Sequence, residues 1–179
     1  MTIQRWNIDT SHSNLDFVVR HLVVSKVRGT FTKWGGSIDL DSADPTNSSV
    51  TATIEVSSID TREEKRDGHL KSPDFFDAEK FPTVTFASSK VTGGGDKYEV
   101  TGPLTIHGVA HDVTLHVETL GQHKDPWGNQ RVVFSAKTSI NRKDFGMTWS
   151  QTLETGGLLV GEKVEIEIEV QAVKAQPAA

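Results

Sequence analysis

The chain contains no cysteine among its 179 residues. Disulfide frameworks, thiolate metal sites and cysteine nucleophiles are therefore excluded. The residues after Met1 show no basic stretch followed by an apolar run, and no apolar run is long enough to cross a bilayer. We expect a cytoplasmic protein without stable membrane insertion, or a periplasmic one if a leader has been removed.

An excess of positive charge is also missing. The chain carries 24 acidic and 19 basic residues, interspersed along its length, for a net charge of −5. No basic stripe in the sequence would neutralise nucleic-acid phosphates or dock on anionic lipid. Nucleic acid is therefore not an expected partner.

What the sequence does have is a repeated alternation of apolar and polar residues, the period of half-buried strands. Hydrophobic residues make up 35% of the chain, enough for one compact domain, which we place at residues 3–173. The alternating apolar positions include Val50, Ala52, Ile54 and Val56; Tyr98, Val100, Leu104 and Ile106; Val113, Leu115 and Val117; Val132, Phe134, Ala136 and Ile140; Val164, Ile166, Ile168 and Val170.

Turn signals rich in glycine, proline and asparagine separate these segments, as at 44–47, 93–96, 107–108 and 126–129. Counting from Trp6 predicts eight or nine strands in a meander of hairpins. A closed antiparallel barrel of eight strands removes the exposed edges, and a two-sheet sandwich is the structural alternative. The predicted fold class is therefore all-β.

One stretch departs from the strand pattern and predicts a short helical insertion around residues 62–79. Thr61 and Glu64 match a capping box, and Ser72 followed by Pro73 is typical of a second helix start, before Pro82 ends the segment. We expect this insertion to cover one mouth of the barrel, and residues 174–179 to form a disordered tail.

The seven histidines raise metal and acid–base hypotheses. His107 and His111 flank a turn, but no third ligand follows at a recognisable spacing, so we predict a turn role and no metal site. His12 lies among serines and Asp9 without the glycine-flanked serine of a nucleophile elbow. These residues are interpreted as structural, and no catalytic residue is predicted.

The aliphatic and aromatic residues carry the main functional hypothesis. Most of them fill a core in any protein. A closed barrel of about eight strands, however, is just wide enough either to pack with side chains or to hold one small ligand. A long apolar ligand gains about 0.8 kcal/mol for each buried methylene and needs no cofactor or catalytic residue.

A set of short motifs, in this order, resembles the YceI-like family of lipocalin-like, polyisoprenoid-binding proteins from Trp6 to about Val173. The motifs are Trp6-Asn7-Ile8-Asp9-Thr10-Ser11-His12-Ser13, Phe17 with His21, Val27-Arg28-Gly29-Thr30-Phe31, Ser58-Ile59-Asp60-Thr61, Arg66-Asp67-Gly68-His69-Leu70-Lys71-Ser72, Asp74-Phe75-Phe76-Asp77, Phe81-Pro82-Thr83, Gly102-Pro103-Leu104-Thr105-Ile106-His107-Gly108-Val109 and Arg142-Lys143-Asp144-Phe145-Gly146-Met147.

The resemblance implies a lipocalin-like eight-stranded barrel, a helical insertion after residue 61, an interior tunnel for an isoprenoid or similar amphiphile, and a homodimer. By strand parity and by analogy, we predict that the ligand-binding residues are Phe17, Val19, Phe31, Phe86, Leu104, Ile106, Phe134 and Met147. Four polar residues in the motifs, His12, His21, Asp67 and His69, are predicted to hold the mouth and the insertion together.

Three functions stay open from the sequence. The first is non-enzymatic carriage of a polyisoprenoid, an isoprenoid quinone or a fatty-acid-like amphiphile. The second is a barrel enzyme, an isomerase, cyclase or hydrolase, with the same four polar residues as acid–base candidates. The third is an interaction module with a filled core, which predicts that the barrel has no cavity.

Overall fold

The computed structural model describes residues 3–151 and 159–176. Over these residues the chain forms strand segments, four short 3₁₀ turns and one α-helix. In chain order the elements are β1 (Ile3–Ile8), β2 (Asn14–His21), β3 (Ser25–Phe31), β4 (Trp34–Asp41), β5 (Ser49–Glu55), β6 (Ile59–Asp60), α1 (Glu64–Lys71), β7 (Thr83–Ala87), β8 (Lys90–Gly94), β9 (Lys97–Ile106), β10 (Val109–Lys124), β11 (Gln130–Asn141) and β12 (Val160–Lys174).

The strands close into a ring. Antiparallel pairing runs in the order β1, β4, β5, β7, β9, β10, β11 and β12, and β12 pairs back with β1. Short interruptions divide four of the barrel strands into two segments each. Thus β2 continues β1, β3 continues β4 and β6 continues β5, while β8 and β7 pair with successive parts of β9. The predicted all-β, eight-stranded antiparallel barrel is therefore confirmed, with consecutive strands as neighbours.

The alternation in the sequence sets which side chains face inward. On β12, Ile166 and Ile168 are half-buried and pack on the core, whereas Glu165 and Glu167 between them are exposed. Directly opposed residues share a face, so Ile168 meets Leu15 of β2 inside the barrel. The interior is therefore apolar on every wall.

The insertion between β6 and β7 is present, but its helix covers only Glu64–Lys71. The predicted capping box does not form, because the Thr61 hydroxyl hydrogen-bonds the Asp67 carboxylate and accepts from Arg66 Nε. Glu63 caps the helix instead, and its carboxylate accepts from the Arg66 amide at 2.6 Å. The hydrogen bond between Thr61 and Asp67 therefore takes the place of the predicted capping bond between Thr61 and the helix amides.

The second predicted helix start is a helix end. Ser72 is the C-cap of α1, and its amide donates to the His69 carbonyl. Turns follow, with the Phe75 amide bonded to the Ser72 carbonyl and Asp77 at a φ of 50°. Residues 72–80 therefore form a turn-rich loop rather than helix.

At the carboxyl end, β12 continues to Lys174, and the Ala175 amide donates to the Arg5 carbonyl at 2.8 Å. The last strand thus ends one residue inside the segment predicted as a tail, and residues 177–179 lie outside the described residues. Among the residues that are described, no helix has the length and apolar character needed to cross a membrane.

Candidate ligand cavity

The barrel encloses a cavity of about 860 Å³. It extends from the loop after β4, at Ser42 and Pro45, to α1 and Trp149 at the end where the insertion lies. Cavities of about 300–1,000 Å³ are typical of small-molecule sites. The interior is therefore not filled by side chains, which contradicts the interaction module with a filled core.

The cavity wall is apolar because alternate residues of each strand point into it. On β9, for example, Val100, Leu104 and Ile106 are all buried and border the cavity. Such a wall offers few hydrogen-bond partners to water or to a polar ligand, so it favours an apolar chain.

All eight residues predicted as ligand-binding border this cavity. They are Phe17, Val19, Phe31, Phe86, Leu104, Ile106, Phe134 and Met147. Parity places seven of them there, since interior and exterior positions alternate along barrel strands. Met147 lies outside the strands, after the 3₁₀ turn that follows β11. That they contact a ligand stays a prediction.

Phe17 owes its place to a glycine on the neighbouring strand. Gly29 is paired with Phe17, and a Cβ at Gly29 would come within 2.3 Å of the Phe17 ring. The ring therefore lies across Gly29 and contacts Phe31 with 5.6 Å between centroids. Any larger residue at position 29 would push Phe17 into the cavity.

An aromatic group covers the cavity at the insertion end, which we call the mouth. Phe76 meets the Phe31 ring edge-on at 6.0 Å. Trp149 lies 4.7 Å from the His69 ring and 5.4 Å from Phe75. These contacts join the insertion to the segment after β11. Strand parity could not reveal Trp149 or Phe75, because both lie outside the strands.

Arg142 fixes the segment after β11 through hydrogen bonds to its backbone. It is 3% exposed, borders the cavity, and donates to the carbonyls of Met147, Trp149, Val160 and Gly161 at 2.7–3.1 Å. Burial lowers the pKa of its guanidinium. Sequence reasoning missed this residue, since arginine is rarely buried and its partners are backbone carbonyls with no signature of their own.

The four predicted polar residues are not brought together. His21 and His69 border the cavity, and His69 Nε2 lies 2.9 Å from the Asp74 carboxylate within the insertion. Asp67 binds Thr61 at the start of the insertion. Asp67 and His69 therefore make their contacts within the insertion and at its start, and that they hold the mouth together stays a prediction.

The prediction that His12 lies at the mouth is wrong. It lies in the break between β1 and β2, where its Nδ1 is 3.0 Å from Asp9 and the Asp9 amide donates to Gln171. This position is towards the end of the barrel opposite the mouth. The sequence does not show at which end of the barrel the polar turn around His12 lies, because that depends on how β1 and β2 pair with β12.

The same break anchors an ion-pair network at that opposite end. Arg131 binds Asp9 at 2.8 Å and Asp125 at 2.9 Å. Hydrogen bonds from Ser11 and Arg131 hold the pKa of Asp9 far below its usual value. Burial alone would raise the pKa of Asp125, but the Asn129 amide and Arg131 lower it overall.

His107 and His111 both contact Phe145 rather than a common ligand. His107 Nδ1 donates to the Phe145 carbonyl at 3.1 Å, and the His111 ring packs edge-on against the Phe145 ring. Over residues 3–151 and 159–176, no group of three or more potential metal ligands is assembled.

Comparison with known proteins agrees with this architecture. Residues 6–172 match the family described as YceI-like domain. The chain belongs to the YceI-like family. The resemblance seen in the motifs is thus confirmed over nearly the whole length.

Relatives of this YceI-like chain span its whole barrel. A UPF0312 protein of Staphylococcus epidermidis is 40% identical over 168 residues, which are 93% of this chain and 96% of that protein. The crystal structure of a Campylobacter jejuni YceI protein superposes with a TM-score of 0.76 at 34% identity, covering 88% of this chain and 90% of that one.

A more distant match shares the fold alone. A polyisoprenoid binding domain from Saccharophagus degradans, implicated in plant cell wall breakdown, superposes with a TM-score of 0.70 at 15% identity, over 97% of this YceI-like chain and all of that domain.

Proposed function

We propose that this protein binds and carries a long apolar amphiphile inside the barrel and performs no chemistry on it. The candidate ligands are a polyisoprenoid, an isoprenoid quinone or a fatty-acid-like molecule. The observation that carries the proposal is the 860 Å³ cavity with its apolar wall. No cofactor is needed for this function.

The ligand class is supported from two directions. A chain buried in this interior gains about 0.8 kcal/mol per methylene, so affinity grows with ligand length. In addition, the fold is shared with the Saccharophagus domain that is described as polyisoprenoid binding. Membership of the YceI-like family is consistent with the same role.

We place the polar head of the amphiphile at the mouth. Lys65, Arg66 and His69 of α1 border the cavity there, whereas the strand walls below are apolar. A head at this end keeps its hydrogen bonds while the tail leaves water. Exit then requires movement of the insertion rather than of the barrel.

The first experiment is native mass spectrometry of the purified protein, followed by organic extraction. We expect a co-purifying prenyl or acyl compound, or saturable binding of an added isoprenoid after delipidation. A delipidated protein that binds no isoprenoid, quinone or fatty acid would overturn the proposal.

A matched pair of variants tests whether the interior is the site. Ala52 points into the cavity opposite Phe86, whereas the exposed Ala87 sits opposite Thr51 on the outer face of the same two strands. Ala52→Phe should fold and lose most binding, because the new ring occupies ligand space. Ala87→Phe should bind as the wild type does.

The enzyme alternative can be tested separately. Only His21 and His69 of its four candidates border the cavity. The proposal expects that His21→Asn with His69→Asn leaves the bound amphiphile chemically unchanged and its dissociation constant within a few-fold. Conversion of an added isoprenoid by the wild type, lost in this variant, would establish an enzyme instead.

We further propose a homodimer as the working form. Sedimentation equilibrium of the delipidated and the loaded protein tests it, and a monomer under both conditions would contradict it.

A further inference from the structure

The hairpin between β2 and β3 ends in three consecutive exposed aliphatic residues. Leu22 is 45% exposed, Val23 53% and Val24 77%. Isolated exposed apolar residues are ordinary on a protein surface, but a contiguous group on a projecting tip is not. We refer to residues 22–24 as the apolar tip.

The apolar tip is built from residues that its backbone disfavours. Leu22 has a φ of 54° and Val23 a φ of 69°, in the left-handed region where asparagine and glycine are preferred. A β-branched valine at positive φ is a conformational outlier. The fold therefore tolerates strain to keep aliphatic side chains where turn chemistry favours polar ones.

Basic side chains flank the apolar tip on one face of the hairpin. Arg20 is directly opposite Lys26, and Arg28 lies two pairs further from the tip, opposite Val18. All three cations are exposed, and no carboxylate of residues 3–151 or 159–176 forms an ion pair with them. On the adjoining strand β12, Glu162 lies in the bulge between Val160 and Val164, and Glu165 is opposite Val18. These two acids form ion pairs with Lys143 and Lys163 rather than with the three cations.

The hairpin also stands beside the mouth. His21 and Val27, next to the apolar tip, border the cavity. Residues 25–29 of β3 pair only with β2 in the described part of the chain, because β6 reaches only Thr30 and Phe31. A surface that held the tip would therefore lie next to the cavity entrance.

We propose that the apolar tip docks reversibly on an anionic lipid bilayer. Leu22, Val23 and Val24 enter the boundary between headgroups and acyl chains, and the three cations meet lipid phosphates. An aliphatic tip ringed by exposed cations matches such a surface in both polarity and charge. The sequence shows no basic stripe because the cations are gathered only when β2 and β3 pair.

Co-sedimentation with lipid vesicles tests the docking without any cavity ligand. The wild-type protein should bind vesicles of phosphatidylcholine with about 30% phosphatidylglycerol, an anionic surface that attracts basic residues. Binding should be weak to pure phosphatidylcholine and should fall in about 0.5 M salt, which screens surface charge. Equal binding to both compositions, or none to either, would overturn the proposal.

The decisive variant combines Leu22→Asn, Val23→Gly and Val24→Ser. It should lose vesicle binding at least about tenfold, the loss expected when one aliphatic side chain no longer leaves water. Its Tm should not fall, because asparagine and glycine relieve the strain at positive φ. Wild-type vesicle binding by this folded variant would contradict the docking.

Four further single variants separate the contribution of charge from that of an exposed apolar side chain. Each of Arg20→Gln, Lys26→Gln and Arg28→Gln should weaken binding about fivefold. Trp127 is 82% exposed at the turn between β10 and β11, at the opposite end, so Trp127→Ser should bind vesicles normally. If Trp127→Ser loses binding instead, the docking surface lies at that end and the proposal is wrong.

Ala52→Phe distinguishes this proposal from the carrier function. It should still bind vesicles, because its added ring lies inside the barrel. A different outcome would be that the wild-type protein does not bind vesicles and that the variant of the apolar tip changes oligomeric state. The tip would then contact another copy of the chain, and the membrane proposal would be overturned.

Discussion

The two ends of the barrel are closed in different ways. At the end opposite the mouth, Trp6, Val132 and Ala172 pack as a separate cluster and are at most 3% exposed. At the mouth, a short helix, a turn-rich loop and Trp149 cover the cavity through ring contacts and hydrogen bonds to Arg142. Dense packing on strands gives the first end its stability, whereas the loops of the second can separate without breaking the ring.

Electrostatics sharpen the contrast. Arg131 has two carboxylate partners, Asp9 and Asp125, close to the Trp6 end. Arg142 at the mouth is buried with backbone carbonyls as its hydrogen-bond partners. Removing the Arg131 guanidinium should therefore lower the stability of the whole barrel. Removing the Arg142 guanidinium should loosen only the segments at the mouth.

The largest expected loss of stability is at the end opposite the mouth, where Trp6 lies. Trp6→Ala should lower the free energy of unfolding by about 3–5 kcal/mol, because a 2% exposed indole leaves a cavity in a dense cluster. Urea denaturation measures the loss. Trp34→Ala is the matched control, since Trp34 is half-buried and borders the existing cavity. An equal cost for both substitutions would remove the distinction between the ends.

The next effect is at the mouth. Arg142→Met should cost about 2–3 kcal/mol, since hydrogen bonds from a charged donor are lost and four carbonyls are left without it. Hydrogen exchange should increase around residues 142–151 and 159–161 and stay unchanged on β1. Lys143→Met, which removes only a surface pair with Glu162, should cost under about 1 kcal/mol. Uniform exchange across the barrel would contradict a local role.

The smallest effect concerns acid stability. Asp9→Asn should cost about 1–2 kcal/mol at neutral pH, since Arg131 keeps Asp125. The depressed pKa of Asp9 stabilises the folded state fully above the unfolded value, about 3.9, and this contribution is lost as the pH falls below that value. The difference between wild type and Asp9→Asn should therefore narrow below about pH 4. A constant difference down to pH 2 would show that Asp9 does not act through its charge.

The ring and the wall of its cavity could be predicted from local sequence because period-two alternation is a local property. Phe86 and Leu104 face inward for that reason, and so does Phe17, whose ring in addition needs Gly29 on the neighbouring strand. The boundaries of α1 could not be predicted in this way, since Thr61 has a partner in Asp67 that competes with capping. His12 and Arg142 depend on a strand break and on distant carbonyls, which no spacing rule encodes.

Ring closure has a consequence for the timing of biogenesis. The Gln171 amide donates to the Ser13 hydroxyl across 158 positions of sequence, so the first and last strands meet only when almost the whole chain is available. Contacts of such long sequence separation form late and slow folding. During synthesis the first strands have no closing partner, and their apolar faces are exposed. A closed interior therefore exists only once β12 has been made and has paired with β1, so a molecule held inside the barrel is enclosed at the last step of folding.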